Sequence, residues 1–164
     1  MKAVPATAAE RVVGRLLMKS GLTLAVAESC TGGLICDRFT DVPGSSRYFV
    51  GGVVSYSEAA KTRMLGVRKQ LLSKWGAVSE QTVREMAAGV CRCFGSQVGV
   101  AVSGIAGPSG GTKAKPVGLV YVCVMAGKRV MVERHLFRGG RRVVKEQSAC
   151  AALQLCRRLL EVSA

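Results

Sequence analysis

The stretch AESCTGG, residues 27–33, sits between two apolar runs, residues 22–27 and Leu34-Ile35. An apolar run that gives way to small polar residues and two glycines reads as a buried strand, a turn and a helix. That reading decides the fold class. Strand–turn–helix is the first half of a strand–helix–strand unit, and it implies an α/β sheet. The turn itself has two readings. Ser29 and Thr31 can be ordinary helix-start residues whose hydroxyls cap free amides. Alternatively, Ser29 is a nucleophile seated on helix-start amides, with Cys30, Thr31, Gly32 and Gly33 forming the turn around it.

Outward from this stretch the pattern keeps alternating. Residues 7–19 carry Val12, Val13, Leu16 and Leu17 at helical spacing and stop at Gly21, a residue type common just past a helix end. A helix over 32–39 is closed by the turn residues Asp41, Pro43 and Gly44. Residues 49–56 are β-like, and 58–75 are helical in pieces broken at Gly66. Ser79 is a good N-cap for a helix that places Val83, Met86, Ala87, Val90 and Phe94 on one face. A buried strand over 98–102 runs into the loop SGIAGPSGGTKAKP, residues 103–116. Strands over 117–125 and 129–137 form a hairpin through Ala126-Gly127-Lys128. A long helix over 141–160 follows, with Val144, Ser148, Ala151 and Leu155 along one face. No linker, repeat or low-complexity tract interrupts the chain. The expectation is a single domain over 1–164, a layered α/β/α fold with a mixed parallel and antiparallel sheet.

Composition narrows the function classes. The 164 residues suffice for a real core, and 49% apolar with 21% charged residues is ordinary for a soluble globular chain. The start, MKAVPATAAE, lacks the apolar core of a secretory signal, and the apolar stretch 118–127 is too short to span a bilayer. A cytoplasmic protein without a membrane partner is expected. The seven cysteines are odd in number and lie within apolar periodic segments, so they read as buried free thiols. His135 is the only histidine, on a strand pattern where a half-buried role suffices, and no C-x-x-C pair exists. No metal site is expected. The balance of 24 Lys and Arg against 10 Asp and Glu, a formal +14, favours anionic ligands. This charge is spread along the chain, and only 5% of residues are aromatic, a poor supply of stacking surfaces. Weak, salt-sensitive attraction to nucleic acid follows, without a specific nucleic-acid partner.

Two glycine-rich loops, AESCTGG and SGIAGPSGG, each follow a strand. Ligands of open α/β sheets gather at the carboxyl ends of strands, and successive backbone amides there favour anions. Neither loop matches a P-loop, a dinucleotide fingerprint or a G-x-S-x-G elbow. A serine nucleophile needs a base. With the lone histidine far along the chain, a lysine of lowered pKa is an alternative, and Lys61, just after SYSEAA, is one candidate. The residues alone lead as far as an anion-friendly pocket containing Ser29.

The chain resembles the C-terminal domain of the CinA family, whose stand-alone form is nicotinamide-nucleotide amidase. The resemblance rests on AESCTGG (27–33), PGSS (43–46), GGVVSYSEAAKTRMLGV (51–67), GAVSEQTVREMA (76–87), SGIAGPSGGTKAKPVGLVY (103–121) and FRGGRRVVKEQS (137–148). These pieces cover nearly the whole chain in the family's order, and no counterpart of the large N-terminal domain of full-length CinA proteins is expected. The resemblance implies a metal-independent serine amidohydrolase, without cofactor, that converts nicotinamide mononucleotide to nicotinate mononucleotide and ammonia. It implies Ser29 as nucleophile, Lys61 as general base, and Tyr56 lining the site. It also implies Ser103, Gly104 and Gly107 of the second loop, together with Arg141, as substrate binders. A homo-oligomer, a dimer, is expected. Family members often carry an acidic residue before that arginine, where this chain has Gly140, so Arg142 and Lys145 stand as alternative phosphate contacts. Cys30 is the competing nucleophile beside Ser29. Glu28 has two open roles, orienting a helix-start amide or holding Lys61. The alternative function is a non-catalytic ligand-binding or competence-associated protein on the same fold.

Overall fold

The computed structural model describes residues 8–162. Residues 1–7, which hold most of the MKAVPATAAE segment and the expected first residue of the first helix, lie outside them.

The chain runs α1 (Ala8–Ser20), β1 (Leu24–Glu28), α2 (Leu34–Thr40), a 3-10 turn (Ser45–Arg47), β2 (Phe49–Val54), α3 (Glu58–Leu65), α4 (Lys69–Trp75), α5 (Glu80–Phe94), β3 (Val98–Gly104), β4 (Leu119–Ala126), β5 (Arg129–Leu136) and α6 (Arg141–Glu161). The strands form one sheet in the order β2-β1-β3-β4-β5. β1 pairs in parallel with β2 and β3, while β3–β4 and β4–β5 are antiparallel. The mixed sheet is therefore observed, with three parallel strands ending on one side.

β1 shows why helices cover both faces. Side chains alternate along a strand, so Leu24 and Val26 enter the core built with α1, α2 and α6. Ala25 and Ala27 enter the core built with α3, α4 and α5. The second face is kept small. A Cβ on Gly99 of β3 would lie 2.5 Å from the Ala87 carbonyl oxygen of α5, so only a hydrogen lets that helix lie so close. Gly89 does the same between α5 and α3, where a Cβ would come within 2.1 Å of the Leu65 carbonyl oxygen. Ser57 and Ser79 cap α3 and α5, accepting hydrogen bonds from the Ala60 and Thr82 amides.

Several boundaries differ from the sequence reading. β1 extends through Glu28, a buried carboxylate that no apolar pattern includes. α2 begins at Leu34 because Gly32 and Gly33 take left-handed φ of 64° and 100°. β2 stops at Val54, which leaves Ser55 and Tyr56 in the connection to α3. β4 starts at Leu119 because Gly118 turns there with φ of 89°, against the Phe137 carbonyl. Along α6 the buried face is broader than expected, taking in Ala149, Ala152, Leu153, Cys156 and Leu159, while Ala151 is half-buried.

All seven cysteines are free, but not all are buried. Cys30, Cys123 and Cys156 are buried, Cys36 and Cys91 are half-buried, and Cys93 and Cys150 are exposed. The last two fall on the solvent sides of α5 and α6, which apolar periodicity around them does not reveal. His135 is half-buried on β5, stacked on Phe137 and 3.0 Å from Glu133. Among the described residues no helix is long and apolar enough to cross a membrane.

Candidate active site

Ser29 is the first residue beyond β1, and the turn after it is held from both ends. The Gly32 amide donates to the Ser29 carbonyl at 3.1 Å. The Glu28 carboxylate accepts from the amides of Gly33 and Cys36, both at 2.9 Å. A buried anion at the start of α2 satisfies two donors that the helix cannot pair internally. Of the two roles open for Glu28, the structure assigns the helix start. It also narrows the set of amides facing a substrate, since those of Gly32 and Gly33 are already engaged. The Thr31 hydroxyl oxygen is buried without a hydrogen-bond partner among the described residues.

Lys61 sits one turn into α3, with only 1% of its surface exposed. Its Nζ donates to Ser29 Oγ at 2.9 Å and to the Ser55 carbonyl at 2.7 Å. Burial lowers its pKa from the ordinary lysine value, because the charged form loses hydration. Glu58 opposes that shift, and Cys30 opposes it only as a thiolate. That form is disfavoured, since burial pushes the Cys30 thiol up to about 12. A protonated thiol is a poor nucleophile at neutral pH. The arrangement thus holds a serine hydroxyl against an amine that burial inclines toward neutrality, and such an amine can accept the hydroxyl proton.

The remaining site residues converge from three directions. Arg141, at the start of α6, donates from Nη1 to the Gly107 carbonyl at 2.7 Å and from Nη2 to the Tyr56 hydroxyl at 2.5 Å. Ser103 uses its hydroxyl structurally, donating to the Ala77 carbonyl at 2.7 Å. A cleft of ≈ 220 Å³ opens between Ser29, Lys61, Tyr56, Val78, Ile105 and Arg141. Cys30, Ser103, Gly104 and Gly107 also face it. Arg142 and Lys145 do not. With Arg141, Leu34 and Glu146 they line an adjoining cavity of ≈ 510 Å³, where Arg142 pairs with Glu146 at 3.0 Å.

Sequence reasoning missed the Ser55 carbonyl, Val78 and Ile105. A main-chain acceptor leaves no mark in a sequence, and nothing about two aliphatic residues in loops points to a wall of a cleft. Among the described residues no three His, Cys, Asp or Glu side chains gather as metal ligands.

A serine and a buried lysine at the carboxyl ends of parallel strands define a layered α/β domain with a Ser–Lys site. Residues 6–160 match the CinA C-terminal domain, and the chain belongs to that family. A CinA-like protein of Desulfotalea psychrophila is 49% identical over 150 residues, 92% of this chain and 36% of that protein. The chain thus spans little more than a third of the length of the curated relatives it matches. Among solved structures, the competence/damage inducible protein CihA from Agrobacterium tumefaciens has a TM-score of 0.89 at 37% identity, covering 98% of this chain and 99% of its own. The competence-damaged protein (CinA) superfamily protein from Enterobacter cloacae has a TM-score of 0.91 at 32% identity, covering 98% and 95%.

Proposed function

We propose that the protein hydrolyses the carboxamide of nicotinamide mononucleotide, releasing nicotinate mononucleotide and ammonia, as a step in pyridine nucleotide recycling. The observation that carries this reading is the 2.9 Å hydrogen bond from buried Lys61 to Ser29. Neutral Lys61 takes the Ser29 proton as Oγ attacks the amide carbon. The resulting oxyanion rests on the Cys30 and Thr31 amides, neither of which donates to a backbone carbonyl among the described residues. Collapse breaks the C–N bond, and the lysine returns its proton to the departing ammonia. Water, deprotonated by the same lysine, then cleaves the Ser29 ester and frees the acid.

Release of ammonia from purified protein supplied with nicotinamide mononucleotide is the direct test. The names of the relatives favour a second reading, a competence-associated ligand-binding protein. Folded protein that binds the nucleotide without releasing ammonia would establish it over the first.

Two further results are expected. Ammonia release survives exhaustive treatment with EDTA, because serine and lysine supply nucleophile and base. Loss under EDTA with recovery on adding a divalent ion would overturn the Ser–Lys assignment. The second result concerns pH. The base works only when neutral, so kcat/KM rises with pH as Lys61 loses its proton. Burial lowers that pKa, and the rise therefore falls below the ordinary lysine value of about 10.4. A pH profile still climbing at that value would show that Lys61 is not the titrating base.

A further inference from the structure

We infer that Lys145 is the residue that reads the anionic end of the substrate, while Arg141 acts as a strut between loops. This rests on the amidase reading above and goes on to say how that site selects a phosphorylated substrate.

The first observation is size. A cleft of ≈ 220 Å³ is smaller than the roughly 300–1,000 Å³ of typical ligand pockets, enough for a pyridine carboxamide but not a whole nucleotide. The adjoining cavity of ≈ 510 Å³ shares Arg141 with it, so a substrate whose amide lies at Ser29 extends past Arg141 into that space. The second observation concerns what each cation there already does. Arg141 is engaged by the Gly107 carbonyl and the Tyr56 hydroxyl. Arg142 is engaged by Glu146. Lys145 makes no ion pair or hydrogen bond with any described residue, yet it is half-buried. The third is reach. Lys145 Nζ lies 3.5 Å from where a Cβ on Gly32 would stand, beside the turn that carries Ser29.

An ammonium held half-buried with no hydrogen bond or ion pair to a described residue, between the turn that carries Ser29 and the larger cavity, is placed to meet a phosphate. The first turn of α6 adds to this. It carries Arg141 and Arg142 with no acidic residue, although a helix start favours negative charge. A bound anion supplies the missing complement.

The experiment compares wild type, Lys145→Gln, Lys145→Arg and Arg141→Gln. Each is given nicotinamide mononucleotide and nicotinamide riboside, and each is titrated calorimetrically with ribose 5-phosphate, a probe that needs no chemistry. Lys145→Gln is expected to narrow the nucleotide-to-riboside ratio of kcat/KM by tenfold or more and to weaken ribose 5-phosphate binding similarly. Lys145→Arg restores much of both. Arg141→Gln lowers kcat/KM on both substrates together, as loss of a strut does. Should wild type release no ammonia, the amidase reading fails, and the titration alone judges Lys145. An unchanged ratio in Lys145→Gln, or binding that is equal in the two proteins or absent from wild type, overturns the assignment. Thermal melting of each variant separates these effects from misfolding.

Discussion

On the amidase reading, Ser29→Ala and Lys61→Ala are each expected to reduce ammonia release by about a thousandfold or more, the scale on which nucleophile and base knockouts act. Ser29→Ala removes one of the two oxygens to which Lys61 Nζ donates, the Ser55 carbonyl being the other, and the fold has little reason to change. Lys61→Ala also leaves a void in a site with 1% exposure, so Lys61→Met, which fills most of the space, is the matched control. Both lysine variants should be equally inactive, whatever their melting temperatures. On that reading nucleophile and base act as one unit, so the double variant is expected to be scarcely worse than either single one. Losses that multiply would mean that the two residues act in separate steps. Cys30→Ala should cost less than about tenfold, because a thiol pushed up to about 12 holds its proton at neutral pH.

Glu28→Ala has the second large effect, and it falls on stability first. The carboxylate is fully buried and accepts from the Gly33 and Cys36 amides at 2.9 Å. Removing it strands two donors at a helix start where water has little access. Hydrogen bonds to charged groups contribute about 1.5–3 kcal/mol each, and the two share one desolvation cost, so a loss of about 3 kcal/mol is expected. For a chain of this size that lowers the melting temperature by roughly 6–12 °C. Activity should fall further than the unfolded fraction explains, because the same amides fix the turn that presents Ser29. A melting temperature within a degree or two of wild type would show that water replaces the carboxylate.

Much of this architecture is legible because local chemistry demands it. The apolar run before AESCTGG is short and bounded by turn residues, which favours a strand, and Ser79 and Gly66 are a cap and a stop in the structure as in the sequence. Glu28 is the hard case. A carboxylate at a strand end normally signals the surface, and only its two amide partners, five and eight residues onward, explain its burial. The pairing of Ser29 with Lys61 bridges 32 residues and depends on β2 lying beside β1, which no periodicity encodes. The residues alone offer Lys61 only as one candidate partner, and the family resemblance is what singles it out. Arg141 shows the opposite case. Its place at the start of α6 is legible, but its grip on Gly107 and Tyr56 joins segments 34 and 85 residues away. Gly89 and Gly99 carry no signal in the periodicity, yet they are contact points where backbones approach closely.

The grip of Arg141 also bears on how the protein is made. Ser29 and Lys61 leave the ribosome well before Arg141 and the helix it begins. α1 shares a core with α6, so the earlier helix waits for the later one before its apolar side is covered. The Tyr56 hydroxyl and the Gly107 carbonyl likewise lack their guanidinium donor until that late arginine reaches them. A growing chain therefore carries Ser29 and Lys61 long before Arg141 can complete the cleft around them. The lining of the cleft is complete only once α6 brings Arg141 to it.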